Sequence, residues 1–525
     1  MLKVFLVLAA SSVLSQAAGS PFNLEIVILG FVPTTSYASL AYNGPAFQTG
    51  LRQIRQDFGD VFNVSHVILQ RSSITDCFQL STQCDDMAGG YFYGRKTSPN
   101  MTVFVVPGCM DTLFTHRLVT DWNIPYITSV HADPILRNRI LSPTWITTTP
   151  VSVRGFVLLY LDLFRKFNWT TVFFITDEAS VPFLGAALIK SLFAAFQSQP
   201  GHQGTLRQTN SERSTNFSNV LADFRRISRI CVYLGHARPL KSLLVQAGEA
   251  GMTDGDYMYI GVDTFLNIKF GNFMWADYNA TAEDPKLQQA IGSLLVISLA
   301  ERTTLLKVEG QQLEREWRRI AKDSFNYSIP PDERMTPYMF ASHAAVEILG
   351  QILNKSLKSD PEFDPTDGAA FARKFLRQSF RTQAINVNLN EVGEPRIELI
   401  LQQFNAAGKL TTVADQFPEN GSLNFIGNIR WPNGRRAPFN RPLCGFLHDA
   451  TSCLASASGR SSMTLWMAVP VIILCVTLVM LVFMLRSRVF RLLTAGSDQT
   501  WWYLDWARLW QRTAMYDNDQ FRWNC

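Results

Sequence analysis

Thr464 to Leu485 reads TLWMAVPVIILCVTLVMLVFML, an uncharged run with 40 residues after it. A helix rising about 1.5 Å per residue covers a bilayer core of about 30 Å in roughly twenty residues, so this run is long enough to span. Arg486, Arg488 and Arg491 crowd its C-terminal side, and Arg460 is the nearby cation on the other. Basic residues stay on the cytoplasmic side, so the preceding residues are expected outside and 486–525 inside. A globular core helix rarely runs so far without a polar face. Pro470 is expected to bend the span, which membrane helices tolerate.

The start of the chain agrees. Lys3 precedes the apolar run Val4 to Leu14, and small residues follow through Gly19. A charged start, a short apolar middle and small residues at the cut describe a secretory signal peptide over 1–19. Sequons begin at Asn63, Asn100, Asn168, Asn216, Asn279, Asn326, Asn354 and Asn420, all on the outer side. One sequon arises easily by chance; together they favour a glycosylated ectodomain at the plasma membrane. About 440 residues remain outside, enough for two or three domains. A net charge of +5 over 525 residues, with no basic stretch interleaved with aromatics, excludes nucleic acid as the expected partner.

Six cysteines lie outside: Cys77, Cys84, Cys109, Cys231, Cys444 and Cys453. Six allow fifteen connectivities. Cys444 and Cys453 sit close together just before the span and read as a pair whose short loop contributes about 2–3 kcal/mol. Cys109 follows a strand-like run and takes its partner from Cys77 or Cys84. Cys231, inside RICVYLG, reads as a buried unpaired thiol. No C-x₂-C spacing occurs and the histidines do not cluster, so no metal site is expected.

Short apolar, β-branched runs alternate with helical spacing. Leu24 to Phe31, Val64 to Gln70, Thr102 to Gly108 and Ile124 to Ser129 read as strands, with helices over Ala46 to Phe58 and Met110 to Trp122. The rhythm repeats from Ser152: a helix to Phe167, a strand over Thr170 to Thr176, a helix over Phe183 to Phe196, then RICVYLG, a helix to Ala250 and YMYIGVD. Continuous apolar strands joined by helices predict parallel sheets covered on both faces, and two such series predict two doubly wound lobes. Helices are expected over Gln311 to Lys322 and Met335 to Leu357, and an antiparallel pair over Ile397 to Leu401 and Leu410 to Val413. Thr35 to Gly44 and Lys358 to Thr366 read as surface loops.

Open α/β lobes bind ligands at the C-terminal strand ends, where strand order reverses. That rule makes Thr34, Thr35, Gly108, Cys109, Ser129, Asp177, His236 and Asp263 candidate ligand contacts. Each taken singly reads more readily as an ordinary solvated loop residue.

Three stretches carry a resemblance. VFVVPGCMDTLFTHRLVTDWNIPYIT (Val103 to Thr128), RICVYLGHARPLKSLLVQAGEAGMTDGDYMYIGVD (Arg229 to Asp263) and IRWPNGRRAPFNRPLCGF (Ile429 to Phe446) resemble the extracellular region of receptor guanylate cyclases and natriuretic peptide receptors. The last, ending in Pro–x–Cys–Gly–Phe, is the most specific. The resemblance implies an α/β fold of two type I periplasmic-binding-protein-like lobes followed by a single transmembrane helix. The first lobe is expected over 20–150, the second over 151–430 with crossovers back to the first, a stalk over 431–463 and the span over 464–485. It pairs Cys109 with Cys77 and Cys444 with Cys453. Some members hold chloride on backbone amides at the glycine–cysteine turn, which falls on Gly108 and Cys109; the family's serine ligand has no identified counterpart. No other cofactor is implied. A homodimer responding to an extracellular peptide or small molecule is.

WWYLDWARLW (Trp501 to Trp510) is similar to the start of the family's kinase-like region, yet no phosphate loop or metal-binding aspartates follow in these 525 residues. No catalytic residue is therefore expected in the chain given. Three readings follow: the receptor portion of a truncated receptor guanylate cyclase, a naturally short clearance-type receptor acting by ligand capture or through a tail-bound partner, or a glutamate-type or G-protein-coupled receptor exterior.

Overall fold

The computed structural model describes residues 22–447 and 470–488, except 97, 131–132, 180–183, 264–284, 301–307, 332, 334, 384, 406–407, 418–420 and 435. The signal segment, Asn279, Asn420, Cys453, residues 464–469 and the tail beyond 488 lie outside the described residues. The chain separates into two units, Met1–Leu447 and His448–Cys525, each taken by itself below.

In the first unit β1 (Phe22–Leu29), α1 (Leu40–Phe58), β2 (Phe62–Leu69), α2 (Cys77–Gly94), β3 (Met101–Val106), α3 (Thr112–Asp121), β4 (Tyr126–Thr128) and β5 (Trp145–Thr147) follow one another. Their strands form a parallel sheet in the order β2-β1-β3-β4-β5. The central strand β3, MTVFVV, is buried at every position. Helices cover both of its faces, so a polar alternation would place unsatisfied groups in the core.

A second series follows: α4 (Val153–Lys166), β6 (Thr171–Asp177), α5 (Leu184–Gln197), β7 (Gln203–Thr209), α6 (Ser218–Ile227), β8 (Ile230–Leu234), α7 (Ala237–Glu249), β9 (Met258–Asp263), α8 (Pro285–Ala290) and β10 (Leu294–Leu299). Its parallel strands run β7-β6-β8-β9-β10, the same topology as the first sheet. The chain then returns to the first lobe. There α9 (Val308–Phe325), α10 (Pro337–Ser359), α11 (Gly368–Arg373) and the hairpin of β11 (Ser379–Arg381) and β12 (Asn386–Asn388) are placed. Ile320, Phe325, Val346, Leu349, Phe371 and Val387 join Leu24, Ile26 and Val103 in one apolar core. A last crossing brings β13 (Leu399–Phe404), β14 (Leu410–Gln416) and β15 (Leu423–Phe425), which extend the second sheet in antiparallel fashion.

One expectation is overturned. Thr35 to Gly44 is not a surface loop throughout, because α1 begins at Leu40 and Leu40, Ala41, Tyr42, Asn43 and Gly44 are buried. Ser39 caps the helix, its Oγ accepting the Ala41 N–H at 3.0 Å while donating to the Val32 carbonyl at 2.6 Å. Gly44 and Pro45 lie inside the helix. The glycine admits Phe325 of α9, whose ring would lie 2.1 Å from a Cβ at position 44.

Trp431 to Phe446 clasps the N-terminal strand ends of the second lobe. Asn440 Oδ1 accepts the N–H groups of Thr170 and Thr171 at 2.6 and 2.7 Å, and Trp169 Nε1 donates to the Pro438 carbonyl at 3.0 Å. The Arg229 guanidinium lies over the rings of Tyr257, at 4.6 Å, and Phe446, at 5.1 Å. In the second unit the described helix α12 (Pro470–Arg488) is long and apolar enough to cross a membrane. It runs to Arg488, past the Leu485 limit expected from the sequence.

Candidate ligand-binding site

Strand order reverses between β1 and β3 in the first lobe and between β6 and β8 in the second, so the ligand rule points to the loops after these strands. The Cys77–Cys109 disulfide, with Cα atoms 5.8 Å apart, ties the first residue of α2 to the turn after β3. Cys84 and Cys231 are free and buried. Cys444 is disulfide-bonded.

Most of the strand-end residues point inward. Ser129 is fully buried, its hydroxyl 2.7 Å from that of Ser342, which in turn donates to Asn43 Oδ1 at 2.9 Å. Asp177 is buried: Oδ1 accepts the Ser211 N–H at 2.8 Å and Oδ2 the Tyr233 hydroxyl at 3.3 Å. His236 stands within electrostatic reach of Asp177, but burial dominates and lowers its pKa to about 4. Asp263 is buried, whereas Thr34 is half-buried and Thr35 exposed with its hydroxyl donating to the Thr75 carbonyl at 2.8 Å. The structure thus gathers Asp177, Tyr233 and His236 at the second lobe's switch point, with the carboxylate engaged by its own surroundings.

Gly108 adopts φ 76°, which only a residue without Cβ takes easily. The Cys109 N–H that follows donates to Asp111 Oδ1 at 2.8 Å, and Asp111 is completely buried. A carboxylate already occupies the position where an anion would meet that amide. The turn as built does not fit a resident chloride.

Sequence reasoning missed Asp111, whose role depends on that turn, and it missed an exposed apolar face. Phe78 and Met110, each next in sequence to a cysteine of the disulfide, and Phe114 on α3 are 65%, 45% and 44% exposed. At the other end of the same helix pair Tyr93 is exposed, its hydroxyl accepting from Trp122 Nε1 at 3.1 Å.

Two sheets whose parallel strands follow the same order, threaded by one chain that passes between them repeatedly, define a bilobed α/β fold. A family described as "Receptor family ligand binding region" matches residues 70–400, well over half of the chain, and the chain belongs to it. The chain is 17% identical over 320 residues to atrial natriuretic peptide receptor 3 of Homo sapiens, covering 61% of this chain and 57% of that one. It is 22% identical over 370 residues to atrial natriuretic peptide receptor 2 of Rattus norvegicus, covering 66% and 33%. A speract receptor of Strongylocentrotus purpuratus is 22% identical over 201 residues, covering 36% and 17%. The match thus spans a little more than half the length of the first of these relatives and a third of the second. Its ligand-binding region is natriuretic-peptide-receptor-like, and among the described residues one helix fits a membrane span.

Proposed function

We propose that this chain is a single-pass cell-surface receptor whose two-lobed portion lies outside and binds an extracellular peptide. The observation that carries the reading is the repeated parallel topology of the two lobes within a receptor ligand-binding family. The peptide class is supported by the strand ends, whose buried polar groups are engaged internally and offer a small polar ligand few partners. It is supported too by the names of the relatives, which are natriuretic peptide receptors. Arg486 and Arg488 at the end of α12 support an outside–inside orientation.

Ligand binding works here by favouring one arrangement of the lobes over another, and only a difference in affinity between the two can move that equilibrium. Two copies pair through the face carrying Phe78, Met110 and Phe114, an apolar patch that a self-complementary interface would cover. Cyclic GMP is the signal where the product continues into kinase-like and cyclase regions; otherwise the receptor acts by ligand capture. Sequencing the full-length transcript separates these two.

Cells displaying the full chain are probed with a fractionated extract of secreted peptides. Saturable binding that disappears when the extract is digested with protease supports the reading; binding that survives digestion overturns the peptide class. Tags at the two ends should be reached by antibody on intact cells at the N-terminal side alone. Phe114→Asp should shift the cross-linked species from dimer to monomer, and an unchanged dimer would place the interface elsewhere.

A further inference from the structure

Three chain passes join the lobes, and a cavity of about 270 Å³ opens beside two of them. Its walls come from both lobes. Pro134 and Arg137 belong to the short helix after β4 in the first, Val157 and Leu158 to α4 and Ser191 to α5 in the second. Between them run the passes themselves, Thr149 to Val151 and Glu394 to Ile397.

The passes are fixed by backbone contacts. Thr147 N–H donates to the Gly393 carbonyl at 2.9 Å, Ala300 N–H to the Glu398 carbonyl at 2.9 Å, and the Thr149 hydroxyl to the Val130 carbonyl at 2.8 Å. Gly393 has φ 84° and packs against Ile146, whose Cδ1 would lie 2.8 Å from a Cβ there. The passes are therefore held in place, and the first of them enters α4 beside an open space. That is the cavity.

The lining is apolar in its body, through Val151, Val157, Leu158 and Ile397, and charged at one side. Arg137 and Glu394 form an ion pair there, with side chains 19% and 11% exposed. Arg154 adds a second guanidinium at the exposed rim, facing one carboxylate already held by Arg137. The wall has an excess of positive charge.

We propose that this inter-lobe cavity is a second binding site, separate from that of the receptor's own ligand, for a compact apolar molecule bearing one carboxylate, which Arg154 pairs. At the roughly 30 Å³ that one water molecule occupies, the cavity holds about ten non-hydrogen atoms, below the usual range of drug-sized pockets. Because both lobes contribute walls, a molecule filling it binds one lobe angle more tightly than others and shifts the population toward that angle. The inference does not require the receptor's ligand to be a peptide.

The test uses the full chain in lipid nanodiscs and two probes followed by ¹⁹F linewidth, 4-fluorobenzoate and the neutral 4-fluorobenzyl alcohol, with empty nanodiscs subtracted. Saturable binding of the acid, at least fivefold tighter than the alcohol, is expected. Arg154→Gln, an exposed change, should bring the acid down to the alcohol's affinity, and Ser191→Phe should abolish both by filling the cavity. Equal binding of acid and alcohol, no saturable binding, or an acid preference unaltered in Arg154→Gln overturns the proposal. Should Ser191→Phe fail to fold, the Arg154→Gln comparison decides alone; failure here leaves the peptide reading intact, since that is read with the protease-digested extract.

Discussion

Asp111 brings a carboxylate to a site without solvent, where burial raises its pKa to about 6 even though the Cys109 N–H and the Thr115 hydroxyl donate to it. The folded-state value lies above the unfolded one. Its contribution is therefore most favourable below the unfolded pKa of about 4 and is lost as pH rises through about 6. The chain should gain roughly 2 kcal/mol relative to Asp111→Asn as pH falls from 7 to 4, measured by denaturant unfolding at each pH. A pH-independent difference between the two proteins would mean that the carboxylate is not isolated from water. At constant ionic strength, replacing chloride by gluconate should leave the melting temperature unchanged; a saturable rise with chloride would show that the turn holds an anion. Neither Asp111 nor the inward-facing Ser129 could be recognised from residue type. Whether a polar side chain at a strand end meets water or its own fold is set by neighbours distant in sequence, Ser342 and Asn43 in one case.

At the scale of elements, agreement and disagreement have one cause. The strands β3, β6 and β8 were legible because both of their faces are buried and their apolar runs are uninterrupted. The helix α2 was not, since CFQLSTQCDDMAGGYFYG mixes polar residues and a Gly–Gly pair without clear spacing. The N-terminal turns of α1 were hidden by Gly44-Pro45, whose placement in a helix depends on α9. Gly44→Val puts side-chain atoms into the Phe325 ring and should cost about 1–3 kcal/mol by overpacking, read from the urea midpoint. An unchanged midpoint would mean that α9 can move away freely. On α10, His343 Nε2 lies 3.6 Å from Glu347 Oε2, but burial lowers the histidine to about 4 and raises the glutamate to about 7. The histidine is therefore neutral near pH 7. Its ring Nδ1 stands 2.9 Å from the Thr49 hydroxyl, joining α10 to α1 through a hydrogen bond and not an ion pair.

Across the whole molecule, the return of residues 308–389 to the first lobe makes each lobe discontinuous in sequence, so neither can be cut out as one segment. The clasp formed by Asn440 and Arg229 attaches Trp431 to Phe446 to the second lobe. Asn440→Ala leaves two backbone N–H groups without their acceptor and should cost about 1–3 kcal/mol, with faster amide exchange in Trp431 to Leu447. Exchange unchanged in that stretch would mean that the clasp is held elsewhere. Among the sequons in described regions, Asn63, Asn100, Asn168, Asn216 and Asn326 are exposed, while Asn354 lies half-buried within α10 with its Oδ1 shielded from solvent. Peptide mass mapping after glycosidase treatment should find glycans at the exposed sites and none at Asn354. A glycan there would require α10 to be accessible during maturation.

The membrane-length run, the alternation of apolar strands with helices and the doubling of that series are written in adjacent residues, because hydrophobic runs and their periods are local quantities. The sequence by itself determined these. Which groups at the strand ends are buried, how the later helices rejoin the first lobe and where a cavity opens between the lobes were decided by the tertiary structure alone. Each depends on contacts between residues tens to hundreds of positions apart, and short-range spacing does not encode those contacts.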